Sequence, residues 1–296
     1  MKKSGIGYVL LTAVVFSTLE PVSKLMAGQM NALALTAVRF LIGALVLLPF
    51  ALGSIRKNSI SLKGKDFLIF ALQGVLCVCV SMGLLQLAVY GANSPALIAV
   101  IFSSNSVFTI AFAALLLKEK ITPVKLGALA LCVLGVAAGA GGSADESTMA
   151  ILQAVGSALA MSLFTVLGKR YLKGLTPEVQ TGLSFLAGSA VMMAALVVTG
   201  VNPFGGLSVQ NLPLVAYLGV AVTGLGYWSY FKAMERAGAF MASFVFFIKP
   251  VLAPLAALAI LGNASAGTSF FISTALVLGG SLLMMWERWR ALRHSC

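Results

Sequence analysis

Residues 13–43 read AVVFSTLEPVSKLMAGQMNALALTAVRFLIG, and residues 158–188 read ALAMSLFTVLGKRYLKGLTPEVQTGLSFLAG. Superposed at a constant offset of 145, Ala13, Ser17 and Lys24 meet Ala158, Ser162 and Lys169, and Thr36, Phe40, Leu41 and Gly43 meet Thr181, Phe185, Leu186 and Gly188. The register continues outward through Gly74, Ala88 and Ala92, which meet Gly219, Ala233 and Ala237. With one residue deleted, Phe102, Leu117, Leu134 and Gly135 meet Phe246, Leu261, Leu278 and Gly279. Apolar coincidences are common in a chain that is 60% hydrophobic, so the constant register and the Lys, Thr and Gly matches carry the weight. The chain therefore reads as two similar halves, residues 1–144 and 145–296, joined into one unit.

That unit belongs in a membrane. Only 28 of 296 residues are charged, and the mean hydropathy is +1.02. Roughly 20 apolar residues span a bilayer as a helix, and the sequence supplies ten such stretches. They lie near 4–27, 32–53, 67–90, 94–117, 123–142, 148–171, 178–200, 212–234, 239–261 and 267–288. Ser94-Pro95, Thr122-Pro123 and Thr176-Pro177 each read as an N-cap followed by a first-turn proline. The expected fold is an all-α integral membrane protein of ten helices.

The net charge of +12 is a topology signal rather than a polyanion site. Seventeen of the 20 basic residues fall on one set of connectors and the two termini: Lys2 and Lys3; Arg56, Lys57, Lys63 and Lys65; Lys118, Lys120 and Lys125; Lys169, Arg170 and Lys173; Lys232 and Arg236; Arg288, Arg290 and Arg293. The alternate connectors, near 28–31, 91–93, 143–147, 201–211 and 262–266, hold none, and one carries Asp145 and Glu146. The positive-inside rule places both termini in the cytoplasm of a cell with this protein in its cytoplasmic membrane. Five spans per half then give the halves opposite orientation, an inverted repeat of the kind that builds alternating-access proteins. No nucleic-acid partner is implied; the partners are the lipid bilayer and a small molecule, with the chain a monomer or a homodimer.

The N-terminal Lys2-Lys3 and apolar run imitate a signal peptide, but their alignment with the sixth stretch reads as a retained helix. Cys77, Cys79 and Cys132 lie within spans and Cys296 in the tail, where disulfides are not expected. The single histidine, His294, is also in the tail, and Cys77-x-Cys79 has no histidine partners, so neither a metal nor a cofactor is called for.

The sequence resembles the ten-helix drug/metabolite transporter superfamily of EamA type over nearly its whole length. The local marks are Phe16-Ser17 followed by Lys24, Arg39-Phe40 opening the second span, and Leu116-Leu117-Lys118-Glu119-Lys120-Ile121-Thr122 running into Gly127 and Gly135. Asn263 stands where the resemblance would repeat the helix-end glutamate, so Glu119 has no second-half counterpart. The resemblance implies transport of a small molecule without naming the cargo.

Four charges remain inside spans: Glu20, Lys24, Arg39 and Lys249. Each costs about 2.5–3.5 kcal/mol at mid-bilayer on insertion scales, which makes intramembrane charge a functional candidate. Lys249 is central in its span and matches Asn105, itself central within Phe102-Ser103-Ser104-Asn105-Ser106 and one turn before Thr109. These residues are expected to face a midplane cavity, beside a helix loosened by Pro250 and Pro254. The bland reading of Lys249 is a buried structural partner of Glu20 or of helix carbonyls.

Glu20 and Arg39 flank the turn near Gln29-Met30 at a similar depth, about 13 Å below it at the helical rise. They are expected either to form a structural ion pair or to take a substrate role. Glu20 is equally suited to a cationic substrate or a proton. Gln86 and Tyr227 are repeat mates by span and add hydrogen-bonding capacity, while Trp228 reads as an interfacial anchor.

The function expected is a secondary transporter, exporter or exchanger, of a small metabolite such as an amino acid. It would work by alternating access around Lys249, Asn105, Glu20, Gln86, Tyr227, Thr109 and Ser106. A channel-like facilitator, or a multidrug or cation exporter using Glu20, is the alternative. Without a nucleotide-binding loop or a nucleophile–base pair inside the spans, nothing points to an enzyme.

Overall fold

The computed structural model describes residues 3–119, 121–141, 147–242, 244–262 and 268–293. Lys2, Lys120, Asp145, Glu146, Asn263, His294 and Cys296 lie outside the described residues, as do the side chains of Phe247, Arg288 and Arg293. In chain order the helices are α1 (Lys3–Ser17), α2 (Leu19–Leu25), α3 (Ala32–Lys57), α4 (Gly64–Gly74), α5 (Gly83–Gly91), α6 (Pro95–Ser103), α7 (Asn105–Leu117), α8 (Pro123–Gly141), α9 (Thr148–Tyr171), α10 (Pro177–Val198), α11 (Leu212–Ala216), α12 (Gly226–Ala242), α13 (Phe244–Leu261) and α14 (Thr268–Arg293). Eight continuous segments are long and apolar enough to cross a membrane. Two shorter apolar helices, Pro123–Gly139 and Ile248–Leu261, accompany them.

Local chemistry explains where the helices begin and break. Asn31 caps α3 by accepting from the Leu33 and Ala34 amides at 2.9 and 3.2 Å. Ser94 caps α6 through the Leu97 amide, and Ser147 caps α9 through that of Ala150. Thr176 departs from its expected cap role. Its hydroxyl is shared with Ser54 at 2.8 Å and leaves only Pro177 to mark the start of α10.

Two spans are interrupted at midlength, α1/α2 at Thr18 and α6/α7 at Ser104. Hydroxyls crowd both breaks and return to the preceding turn: Ser17 to Ala13 O, Thr18 to Val15 O, Ser103 to Ala99 O, and Ser104 to Ile101 O. Such back-bonding competes with the helical ladder and bends it. The third and eighth apolar stretches each contain a π-helical run, Val75–Met82 and Tyr217–Leu225, a feature frequent at functional sites.

Packing follows the repeat register. α3 lies on α10, with Phe40 and Phe185, repeat mates, edge to face at 4.6 Å. Glycine permits the closest approaches: a Cβ added at Gly74 would stand 2.3 Å from Ser184 O, and one at Gly188 would stand 2.4 Å from Gly74 O. The register mates of these glycines, Gly219 and Gly43, are also closely packed, but against the side chains of Ile42 and Thr223 rather than against each other. Without a hydrophobic driving force between helices in lipid, close backbone packing of this kind is what holds spans together.

Polarity is inverted relative to a water-soluble protein. Leu10, Phe67, Leu115, Val133, Val198 and Phe271 face outward. Thr12, Ser17, Glu20, Arg39, Gln86, Asn105 and Lys249 are buried. An apolar exterior around a charged core is what hydrocarbon solvent selects.

Candidate functional site

The buried charges meet where the interrupted spans pack together. α2 carries Glu20 in its first turn, and α13, packed against α2 and α6, carries Lys249. Lys249 Nζ donates to Glu20 Oε1 at 2.6 Å and stands 5.1 Å above the ring of Phe102. Glu20 is 0% and Lys249 3% exposed. The pair is held between helices of the two sequence halves, away from water.

This arrangement corrects the expected Glu20–Arg39 pair. Glu20 is taken by Lys249, and Arg39 Nη2 instead points to Met82 Sδ at 3.6 Å, with the guanidinium 4.8 Å from the Phe40 ring centre. Arg39 still lies within electrostatic reach of Glu20, Tyr227, Cys77 and Tyr90. The reason is azimuth: α3 presents Arg39 toward Met82, whereas α13 delivers an ammonium directly onto the carboxylate. Glu20 Oε2 and Arg39 Nε are left without hydrogen-bond partners.

The neutral candidates divide. Asn105 is buried at the head of α7, but its amide donates to Phe102 O at 2.7 Å, and its carbonyl accepts from Ser162 Oγ at 2.7 Å and Thr109 Oγ1 at 2.8 Å. Ser106 donates to Ser103 O. Asn105, Thr109 and Ser106 thus shape the helix break facing Lys249 and direct their polar atoms to backbone. Gln86 is buried with Nε2 unpartnered. Tyr227 stacks between Phe16 at 5.1 Å and Phe185 at 4.9 Å.

A separate cleft of about 510 Å³ opens at the basic end, where the end of α3 meets the start of α10 and α12. Phe50, Trp228 and Phe231 form its apolar wall, and Lys57, Glu178, Lys232 and Glu235 its polar rim. Lys232 and Glu235 pair at 2.6 Å. Trp228, expected as a bilayer anchor, packs instead on Phe50 at 5.5 Å and Tyr8 at 5.8 Å. Sequence reasoning missed this cleft; its carboxylates, Glu178 and Glu235, are not set apart in the sequence from Asp66 and Glu119 on the other basic connectors.

At the opposite end, hydrogen bonds tie described connectors together. Asn211 Nδ2 donates to Gln29 Oε1 at 3.3 Å and to Gly206 O at 2.8 Å, and a Cβ at Gly206 would lie 2.2 Å from Gln29 O. Lys24 Nζ donates to Tyr90 O at 2.8 Å and Ala92 O at 2.5 Å, closing α2 onto the end of α5. Its repeat mate Lys169 pairs with Glu119 at 2.6 Å on the other end, where both are exposed.

The EamA-like transporter family aligns with residues 3–138 and again with residues 148–286. The chain belongs to the EamA-like transporter family. It is therefore a multi-pass membrane transporter. An "uncharacterized transporter" of Clostridium kluyveri is 36% identical over 293 residues, covering 95% of this chain and 93% of that protein. A protein of known crystal structure shares the fold at a TM-score of 0.68 and 19% identity, with 98% of this chain and 99% of that one covered.

Proposed function

We propose that this EamA-like transporter is a secondary transporter of a small metabolite, such as an amino acid, working by alternating access. Ten spans form two inverted five-helix repeats, residues 1–144 and 145–296, with both termini in the cytoplasm of a cell whose cytoplasmic membrane holds the protein. The substrate site is the core around Glu20, Lys249 and Arg39, flanked by Gln86, Tyr227 and the Asn105 helix break with Ser106 and Thr109.

The observation that carries this reading is an ion pair buried between helices of the two halves, with a cleft at one end of the helices and hydrogen bonds between connectors at the other. Lys24 and Lys169, equivalent by register, are used differently: one locks α2 to the carbonyls of α5, while the other rests on an exposed glutamate. A two-fold related pair in unequal states is what alternating access requires, since the opposite state is reached when the halves exchange conformations. The cleft at the basic end is then the cytoplasmic vestibule.

Reconstitution tests it. Proteoliposomes loaded with unlabelled substrate should accumulate labelled substrate by counterflow. Flux without counterflow stimulation would make the protein a channel-like facilitator instead. A cation exporter using Glu20 would first have to displace Lys249 from the carboxylate, and such an exporter would give counterflow with organic cations only.

A further inference from the structure

Three charges share the buried core, and they do not balance. Lys249 and Glu20 satisfy one another at 2.6 Å, which leaves the positive charge of Arg39 over. Arginine stays protonated in proteins and carries five N–H donors. Here the residue is 1% exposed, its one hydrogen-bond acceptor is a thioether at 3.6 Å, and Nε has no partner. Sulfur is a weak acceptor, and a buried cation served so poorly is costly to the fold.

Two polar groups on helices packed against α3 also lack partners. Gln86, one helical turn beyond Met82, leaves Nε2 without an acceptor. Ser184 leaves its hydroxyl unpartnered, and it precedes Phe185, whose ring meets Phe40 beside Arg39. Unpartnered buried polar groups are exceptional in folded proteins and call for an explanation. Among the described residues, Arg39 Nε and Gln86 Nε2 are unpartnered donors, Glu20 Oε2 is an unpartnered acceptor, and the Ser23 and Ser184 hydroxyls can serve as either.

We infer that Arg39 anchors a carboxylate group of the transported molecule, while Lys249 stays on Glu20. The inference rests on the central-site reading proposed above. One carboxylate cancels the excess charge of one, and its two oxygens fit the guanidinium fork. A phosphate dianion would overshoot. The molecule also carries an apolar part, because Phe40, Phe185, Tyr227 and Phe16 form a continuous run of aromatic rings with centres 4.6–5.1 Å apart. This reverses the roles that depth alone suggested: Arg39 becomes the binding cation, and Lys249 the structural one.

Three probes of one shape separate the charge classes: phenylacetate, phenylacetamide and phenethylamine, titrated onto the full chain in lipid nanodiscs. Calorimetry and thermal shift should show saturable binding of phenylacetate, with the other two roughly 10–100-fold weaker, the value of charge-assisted hydrogen bonds. Arg39→Gln should bind phenylacetate no better than phenylacetamide. Its ligand-free form should melt at or above the wild-type temperature, because an unbalanced buried charge has gone. Arg39→Lys should retain part of the carboxylate preference.

Several results overturn the inference: no binding of phenylacetate, preference for phenethylamine, or an unchanged carboxylate preference in Arg39→Gln. A ligand-free Arg39→Gln that melts lower or fails to fold would make the guanidinium a structural necessity and overturn it as well. Phenylacetate binding without counterflow would instead sink the transport mechanism and leave the carboxylate site standing. Counterflow of a solute lacking a carboxylate, with no phenylacetate binding, would do the reverse.

Discussion

Removing the two ends of the Glu20–Lys249 pair should have unequal consequences. Breaking a buried pair from one side ordinarily costs about 3–5 kcal/mol, because the other charge is left bare. Glu20→Gln leaves Lys249 and Arg39 as two buried cations with no anion between them, and the full cost of about 3–5 kcal/mol is expected. Lys249→Met leaves Glu20 with Arg39 still in electrostatic reach. Unit charges about 4–8 Å apart at an effective dielectric near 20 attract by about 2–4 kcal/mol. Arg39 can therefore offset much of the loss, and Lys249→Met should cost only about 1–2 kcal/mol. The double mutant should be more stable than Glu20→Gln alone, since it removes one of the two stranded cations. Reversible unfolding of the four proteins in bicelles, read by tryptophan fluorescence, gives the ordering. If Lys249→Met is as destabilising as Glu20→Gln, Arg39 does not act on Glu20 and the account of the core is wrong.

Gly74→Val should strongly impair folding, because the added carbons would enter the Ser184 and Gly188 backbone of α10, whereas Gly53→Ala, with open space around it, should be neutral; the folded fraction after detergent extraction measures both. For topology, a cysteine at Phe204 should react with a membrane-impermeant maleimide applied outside the cell, and one at Ile60 should react only after permeabilisation. The reverse pattern would invert the orientation.

The spans were legible because apolarity sustained over some twenty residues nearly suffices to define a membrane helix. Among the described residues, eight helical segments are long and apolar enough to span, two shorter apolar helices accompany them, and Ser94 caps its helix as its place before Pro95 implies. Legibility stopped at features that depend on which helix neighbours which. Counting rise per residue gives Glu20 and Arg39 a common depth, but depth says nothing about azimuth, and the carboxylate's partner comes from a helix 229 residues away. Asn105 shows a second limit. Its depth matches that of Lys249, yet a short amide at a broken helix finds the Phe102 carbonyl before it can reach across. The π-helical runs leave no composition signal, since residues 75–82 and 217–225 are as apolar as their neighbours.

What the sequence repeat could not supply is the difference between its copies, and that difference is where the mechanism lies. Register equates Arg39 with Ser184, so the charge of the core is not duplicated: the first half contributes Glu20 and Arg39, the second only Lys249. The ion pair consequently crosses the seam between halves, with Glu20 on α2 and Lys249 on α13. In the alternating access proposed above, rocking of one half against the other would carry the ammonium relative to both Glu20 and Arg39, raising repulsion from one as it loses the other. An anion placed on Arg39 lowers that barrier, because it screens the cation toward which Lys249 would move. Under that mechanism, charge unevenly divided between the halves would link occupancy of the proposed site to motion of the helices, which two identical copies of the repeat, each with its own balanced charge, would not do.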